Sequence, residues 1–253
     1  MRAVSKSDVG KIRSVNEDRS LVVLDMNGLT LAVVADGMGG HQAGEVASEE
    51  AIRTLEKQLS ASQIRPDMPM DRMEQTLIRA MEEANRTVFQ QSQNNSELLG
   101  MGTTMVAVLA DHVSWMIGHV GDSRAYKLTD DALEQITEDH SLVNELLKRG
   151  QITMEEAVNH PRKNVLTRAL GTDSTVTIDT YWGTWNEGDY LLICSDGLSN
   201  LVNEEQMLSI VKSESPLEEK ADLLVKQAMD AGGDDNITVV LLENLLNGEV
   251  KEG

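Results

Sequence analysis

Three aspartates in this chain stand where an apolar, β-type run meets glycine. They are Asp36 in Leu31-Ala-Val-Val-Ala-Asp-Gly-Met-Gly-Gly40, Asp196 in Leu191-Leu-Ile-Cys-Ser-Asp-Gly197, and Asp235 in Gly232-Gly-Asp-Asp-Asn-Ile-Thr-Val-Val-Leu-Leu242. Short apolar runs bounded by turn residues read as buried strands. A carboxylate at the tip of a buried strand is costly unless positive charge meets it. Three such tips predict one cluster of oxygen ligands for hard divalent cations, Mg²⁺ or Mn²⁺. The adjoining glycines let backbone carbonyls and substrate come close. A single Asp-Gly pair is usually only a turn; three at strand ends favour the cluster.

Composition narrows the class. A chain of 253 residues can build one large domain with a sizeable core. A formal net charge of −20 argues against nucleic acid and anionic membrane as partners. Apolar runs such as Leu29 to Ala35 and Met105 to Ala110 are too short to span a bilayer, so no membrane insertion is expected. The first residues carry no apolar signal core, and one cysteine excludes an internal disulfide framework. Together these predict a cytoplasmic protein. With aromatic residues at only 3%, Leu, Val, Ile and the 13 Met must fill the core.

Read along its length, the chain alternates hairpins with helix pairs. Ser20 to Met26 and Leu29 to Ala35 flank Asn27-Gly28, the strongest two-residue hairpin signal. Ala47, Ala51, Leu55 and Leu59, widened by Val46 and Ile52, form a helical stripe that Pro66 and Pro69 interrupt. A second stripe follows with Met70, Met73, Leu77, Met81, Ala84 and Val88, whose methionines fill core. Thr103 to Ala110 and Val113 to Val120 make another hairpin around Asp111-His112, and Ala125 to Leu128 resumes strand. From about 139 to 168 the character shifts to short polar helices, with Thr153-Met-Glu-Glu156 as a capping box, which reads as an insertion over one end of the sheets. Asp189 to Cys194 is a buried strand. Ser215-Pro-Leu-Glu218 starts a helix with Ser215 as cap and Pro216 at its first position, Gly232-Gly233 closes it, and Asn236 to Leu242 is the last strand. Residues 244–253 read as a frayed tail. The pattern predicts an α+β fold of antiparallel sheets covered by helices, a single domain over 1–243.

Six motifs then occur in a fixed order: Ser14-Val-Asn-Glu-Asp-Arg19, Ala35-Asp-Gly-Met-Gly-Gly-His-Gln-Ala-Gly-Glu-Val-Ala-Ser48, Gly102-Thr-Thr104, Val120-Gly-Asp-Ser-Arg124, Cys194-Ser-Asp-Gly197 and Asp235-Asn-Ile-Thr238. In this order they resemble the metal-dependent protein serine/threonine phosphatases of type 2C, above all the small single-domain bacterial members. The resemblance runs from about Val9 to Leu242. It implies a four-layer sandwich, two antiparallel β-sheets flanked by pairs of helices, with the 139–168 segment as a helical flap.

The same resemblance implies a centre of two Mn²⁺ or Mg²⁺ ions and a possible weaker third. Asp36 would bridge the core pair, and the Gly37 carbonyl would complete one ion. Asp196 and Asp235 would ligate the other. Glu17 would hold metal-bound water, with Asp18 in support. Asp122 would join Asp196 at the third position. Arg13 falls where the family grips substrate phosphate, and its planar fork suits that task. The activity implied is hydrolysis of phosphoserine and phosphothreonine in proteins by a metal-activated water, with Arg13, Asp36, Asp196 and Asp235 as the catalytic set. The implied partners are phosphorylated proteins, including a bacterial serine/threonine kinase that the enzyme opposes in signalling; a monomer is expected. Two alternatives stay open: a phosphatase devoted to one regulatory partner, and a binding module on the same fold that lacks activity.

One position departs from the eukaryotic pattern. Met38 stands where a histidine often follows the first Asp-Gly, so leaving-group protonation must come from metal-bound water or from elsewhere. His140 and His160, in or beside the flap, are candidates, each as readily a capping or surface residue. His41 reads as stabilising the glycine turn, His119 as a satisfied core histidine on a strand, and His112 as a hairpin residue. Cys194 lacks the glycine loop and following arginine that a thiolate phosphatase needs, so it reads as core.

Overall fold

The computed structural model, which describes residues 1–39, 43–129 and 132–245, contains two antiparallel sheets. The first has the order β1 (Arg2–Asp8), β11 (Ile237–Glu243), β10 (Tyr190–Cys194), β7 (Arg124–Leu128), β8 (Leu133–Gln135). The second has the order β2 (Asp18–Met26), β3 (Leu29–Met38), β5 (Met105–Ala110), β6 (Ser114–Val120), β9 (Asp179–Thr184), with β4 (Gly102–Thr103) paired to the far end of β3. Asn27 and Gly28 take positive φ, 57° and 89°, in the β2–β3 turn, the backbone whose twist suits a tight hairpin.

Strand periodicity explains the layering. Along β3, Leu31, Val33 and Ala35 face α1 (Ala43–Ala61) and α2 (Met70–Asn94), while Ala32 and Val34 face the other sheet. Along β11, Val239 and Leu241 face α6 (Glu204–Val211) and α7 (Leu217–Ala231), while Val240 and Leu242 point between the sheets. Strands buried on both faces read as unbroken apolar runs, as these do. Helices on sheet on sheet on helices gives four layers, as expected, and the α1 and α2 stripes bury the residues predicted for them except Val46 and Met70, which are half-buried against the same core. The flap carries α3 (Leu142–Lys148) and α4 (Met154–Val158); Ser141 caps the first, and the Thr153–Glu156 capping box forms at the second.

Several local expectations need correction. Pro216, not Ser215, occupies the cap position of α7, and no side chain caps that end; proline there has no N–H to satisfy. The strands β1, β8 and β9 carry too few apolar residues to register in the sequence, because each lies at a sheet edge with one side open. Asn244 is not frayed: it is buried, and its amide donates to the carbonyls of His112 and Asn186. Residues 246–253 of the expected tail, and His41, lie outside the described residues. No helix among the described residues is long and apolar enough to cross a membrane.

Candidate active site

The three aspartate junctions meet at one end of the sandwich. Asp36 lies near the end of β3, opposite Asp18 on β2 in the strand register. Asp196 opens α5 (Asp196–Ser199) directly after β10, Asp235 immediately precedes the run into β11, and Asp122 follows β6. Together with Arg13, Glu17, Gly37, Met38, Thr104, Asn164 and Leu166 they line a cleft of about 190 Å³. Asp122, Asn164 and Asp196 also border a larger groove of about 460 Å³ that runs beneath the flap.

Backbone hydrogen bonds fix this end tightly. The Asp36 amide donates to Thr104 Oγ1 at 3.0 Å, and the Thr104 amide donates back to the Asp36 carbonyl at 2.8 Å. Thr104 Oγ1 also meets Ser123 Oγ at 2.7 Å, which ties the Asp36 strand to the Asp122 turn. Gly37 is required sterically, since a Cβ there would lie 2.0 Å from the Gly44 carbonyl oxygen. Asn236 holds the loop that bears Arg13 and Glu17: its Oδ1 accepts from the Glu17 amide at 2.8 Å, and its Nδ2 donates to the carbonyls of Val9 and Val15. Ser195 Oγ donates to the buried Asp18 carboxylate at 2.7 Å. Thr104, Ser195 and Asn236 stand inside the motifs, but in the sequence only Ser195 and Asn236 adjoin an aspartate, and nothing local marks Thr104.

The electrostatics call for cations. Burial, then the charges of Asp18, Asp196, Asp122 and Asp235, push Asp36 well above the usual carboxylate range. Burial pushes Asp18 up to about 7 against the pull of its Ser195 and Thr238 bonds, and burial with Asp196 nearby pushes Asp122 up to about 7. Asp196 is raised by burial and by Asp235, and Glu17 by burial. Glu17 Oε1 and Asp18 Oδ1 are buried with no hydrogen-bond partner. A donor set of carboxylates and carbonyls, with neither cysteine nor histidine lining the cleft among the described residues, fits hard divalent ions. Among the described residues, no three such groups converge as a finished ligand set. Arg13 supplies the one guanidinium of the cleft; its Nη2 donates to Asp235 Oδ2 at 2.8 Å, and its side chain is 49% exposed.

The remaining candidates sort differently. Met38 does line the cleft. Cys194 is fully buried, and burial pushes its thiol up to about 12, which leaves no thiolate. His112 does sit in the hairpin turn, with Nδ1 against Asn244 Oδ1. His160 lies in a flap turn, where its Nδ1 accepts from the Arg162 amide. His140 is neither a cap nor a surface residue; it is buried at the flap base. His119 is core but not satisfied, because neither ring nitrogen has a partner.

With this geometry in hand, known proteins are informative. A family model described as protein phosphatase 2C matches residues 11–231. The chain belongs to the protein phosphatase 2C family. It is 44% identical over 249 residues to "Serine/threonine phosphatase stp" of Listeria innocua, covering 97% of each chain. It is 39% identical to "Protein phosphatase PhpP" of Streptococcus pneumoniae over 93% of this chain and 94% of that one. Among solved structures, a bacterial serine phosphatase superposes with a TM-score of 0.91 at 37% identity, covering 99% and 100% of the two chains. The catalytic domain of the serine/threonine phosphatase PstP, solved with two manganese ions, gives a TM-score of 0.82 at 35% identity over 96% and 97%. Protein phosphatase 2C members are metal-dependent.

Proposed function

We propose that this protein hydrolyses phosphoserine and phosphothreonine in other proteins with the help of divalent cations held in the carboxylate cleft. The observation that carries the reading is the mutual burden of Asp18, Asp36, Asp122 and Asp196, which burial and like charge, that of nearby Asp235 included, make unfavourable without metal. In this reading Asp36, the Gly37 carbonyl, Asp196 and Asp235 hold two Mn²⁺ or Mg²⁺ ions. Glu17 steadies coordinated water, and Asp122 with Asp196 offers a weaker third position. Bound cations supply the positive charge that acidifies water and neutralises the phosphoryl oxygens.

The chain's own groups do the positioning. Arg13 exchanges Asp235 for the substrate phosphate and grips two of its oxygens. Asn236 keeps the Arg13 and Glu17 loop seated, and Thr104 keeps Asp36 and the Asp122 turn in register. Met38 transfers no proton, so the serine or threonine oxygen leaves by taking a proton from water in the cleft. The phosphatase unit is one domain over 1–243 with the flap at about 139–168. The partners are phosphorylated proteins, among them a serine/threonine kinase, and the protein works as a cytoplasmic monomer.

The test is release of phosphate from a phosphothreonine peptide. Turnover is expected with Mn²⁺, loss of turnover with a chelator, and no loss in Cys194→Ala. Chelator-resistant turnover, or an inactive Cys194→Ala that still folds, would overturn the reading.

A further inference from the structure

The flap is anchored by a cluster that the phosphatase reading does not use. His140 is the second residue of the flap and is only 6% exposed. It takes both backbone polar groups of Gly121, the residue before Asp122. The Gly121 amide donates to His140 Nδ1 at 3.0 Å, and the His140 amide donates to the Gly121 carbonyl at 2.8 Å. On its other edge, His140 Nε2 lies 3.0 Å from Asp179 Oδ2, and Asp179 Oδ1 accepts from Arg168 at 2.7 Å. Arg168 ends the flap, and the Thr167 amide donates to the His140 carbonyl at 2.8 Å. Both stems of the flap thus meet at one imidazole.

The hydrogen bonds choose its protonation. An amide N–H can only donate, so Nδ1 must carry a lone pair. The proton then sits on Nε2 and is given to Asp179, as is common for an imidazole fixed by a carboxylate. Burial, with Arg168 nearby, keeps His140 below its usual range. His119 lies against the ring, centroids 4.7 Å apart and tilted by 29°. Burial pushes His119 down to about 3, so it is a flat neutral support. That gives its two unpartnered nitrogens a purpose in packing. Gly121 cannot be replaced from the other side, since its φ is +111° and a Cβ would meet Thr104 at 2.5 Å.

We propose that His140 is a positioning residue, a neutral Nε2–H imidazole that locks the Gly121–Asp122 turn to the flap stems so that the Asp122 carboxylate and the flap move as one body. Substrate that orders the flap thereby steadies Asp122, and an ion on Asp122 orders the flap. The functional weight of this lock rests on the reading of Asp122 as the ligand of a weaker ion; the lock itself does not.

Two measurements separate these. Nitrogen NMR of the metal-free protein should show His140 Nδ1 unprotonated, and amide exchange at Gly121 should be slow. His140→Ala should speed that exchange about tenfold, while His140→Asn, whose Oδ1 can accept from the same amide, should restore it. In Mn²⁺ calorimetry, His140→Ala should weaken the weakest site by about tenfold and leave the tighter sites alone, and His140→Asn should recover it. A protonated Nδ1, or an Asn variant as impaired as the Ala variant, overturns the lock and leaves only packing. If Asp122→Ala keeps every Mn²⁺ site, the reading of Asp122 falls, and exchange at Gly121 alone decides the lock.

Discussion

Asp36 and Asp196, two of the proposed metal ligands, are crowded by other carboxylates in the metal-free fold, whereas the third, Asp235, is paired with Arg13. In the proposed reading an isosteric amide at any of the three removes a ligand, and at Asp36 or Asp196 it also removes repulsion. Asp36→Asn, Asp196→Asn and Asp235→Asn should each lower phosphopeptide turnover by about 10² or more, since a lost ligand forfeits several kcal/mol of charge stabilisation. Asp36→Asn should melt no lower than wild type in chelator, because the uncompensated charge it loses opposed folding. Turnover near wild type in any of the three would remove that residue from the core set. Arg13 should separate differently. Arg13→Ala should raise the Michaelis constant for a small aryl phosphate by roughly tenfold, the scale of one charge-assisted contact. Its Mn²⁺ affinity should not weaken, because the guanidinium contacts Asp235 and not the ion. Equal Michaelis constants would take Arg13 out of phosphate binding.

At the scale of elements, the flap is the part with least core. No residue of α3 is buried and only Ala157 of α4 is, while Met154 and Val158 stand 70% and 64% exposed. Helices this short are not stable alone, so caps and stem contacts hold them. Thr153 accepts from the Glu156 amide at 3.3 Å and Glu156 reaches back to the Thr153 amide at 2.8 Å. Thr153→Ala should cost about 1 kcal/mol, the usual worth of a cap. Because the flap has little buried surface, that loss should appear as faster amide exchange in residues 154–158 and not as a lower global melting point. The groove under the flap adjoins the cleft at Asp122, Asn164 and Asp196 and is lined by residues of α3 and α4, so the phosphopeptide Michaelis constant should rise while aryl phosphate is handled as before. A drop in global melting temperature without faster flap exchange would show that the flap is part of the cooperative core.

For the whole molecule, the acidic cleft sets a pH dependence. Asp18 and Asp122 are pushed up to about 7, and Asp36 is raised as well, by burial first and neighbouring carboxylates second. In the unfolded chain these groups titrate near about 4. A carboxyl that holds its proton more tightly when folded favours the fold fully below about pH 4, and that advantage is lost as pH rises through about 7. The metal-free protein should therefore melt at falling temperatures across that window. The net charge of −20 acts in the same direction. Saturating Mn²⁺ should flatten or reverse the trend, because bound cations keep the carboxylates ionised. Melting curves with chelator and with Mn²⁺ decide this, and Asp18→Asn should remove part of the slope in chelator. Metal-free stability that rises over the same window would contradict the raised values.

Amino-acid order by itself determined the strands and helices with strong periodicity. β3, β5, β6, β10 and β11 announce themselves as unbroken apolar runs because both their faces are buried, the half-buried edge strand β2 by the Asn27-Gly28 turn that follows it, and α1 and α2 as stripes because only one of their faces is buried. It also placed Asp36, Asp122, Asp196 and Asp235 at strand ends, since Gly-Asp and Asp-Gly punctuation is local. Tertiary structure alone decided what depends on partners far along the chain. The edge strands β1 and β9 exist because β11 and β6 offer hydrogen bonds, not because their own residues demand it. Asn236 reaches Glu17 across 219 positions, and His140 reaches Gly121 and Asp179 from one ring. The raised carboxyl groups are the clearest case: an aspartate has its ordinary pKa in the sequence, and only folding brings Asp18, Asp36, Asp122 and Asp196 out of water beside one another.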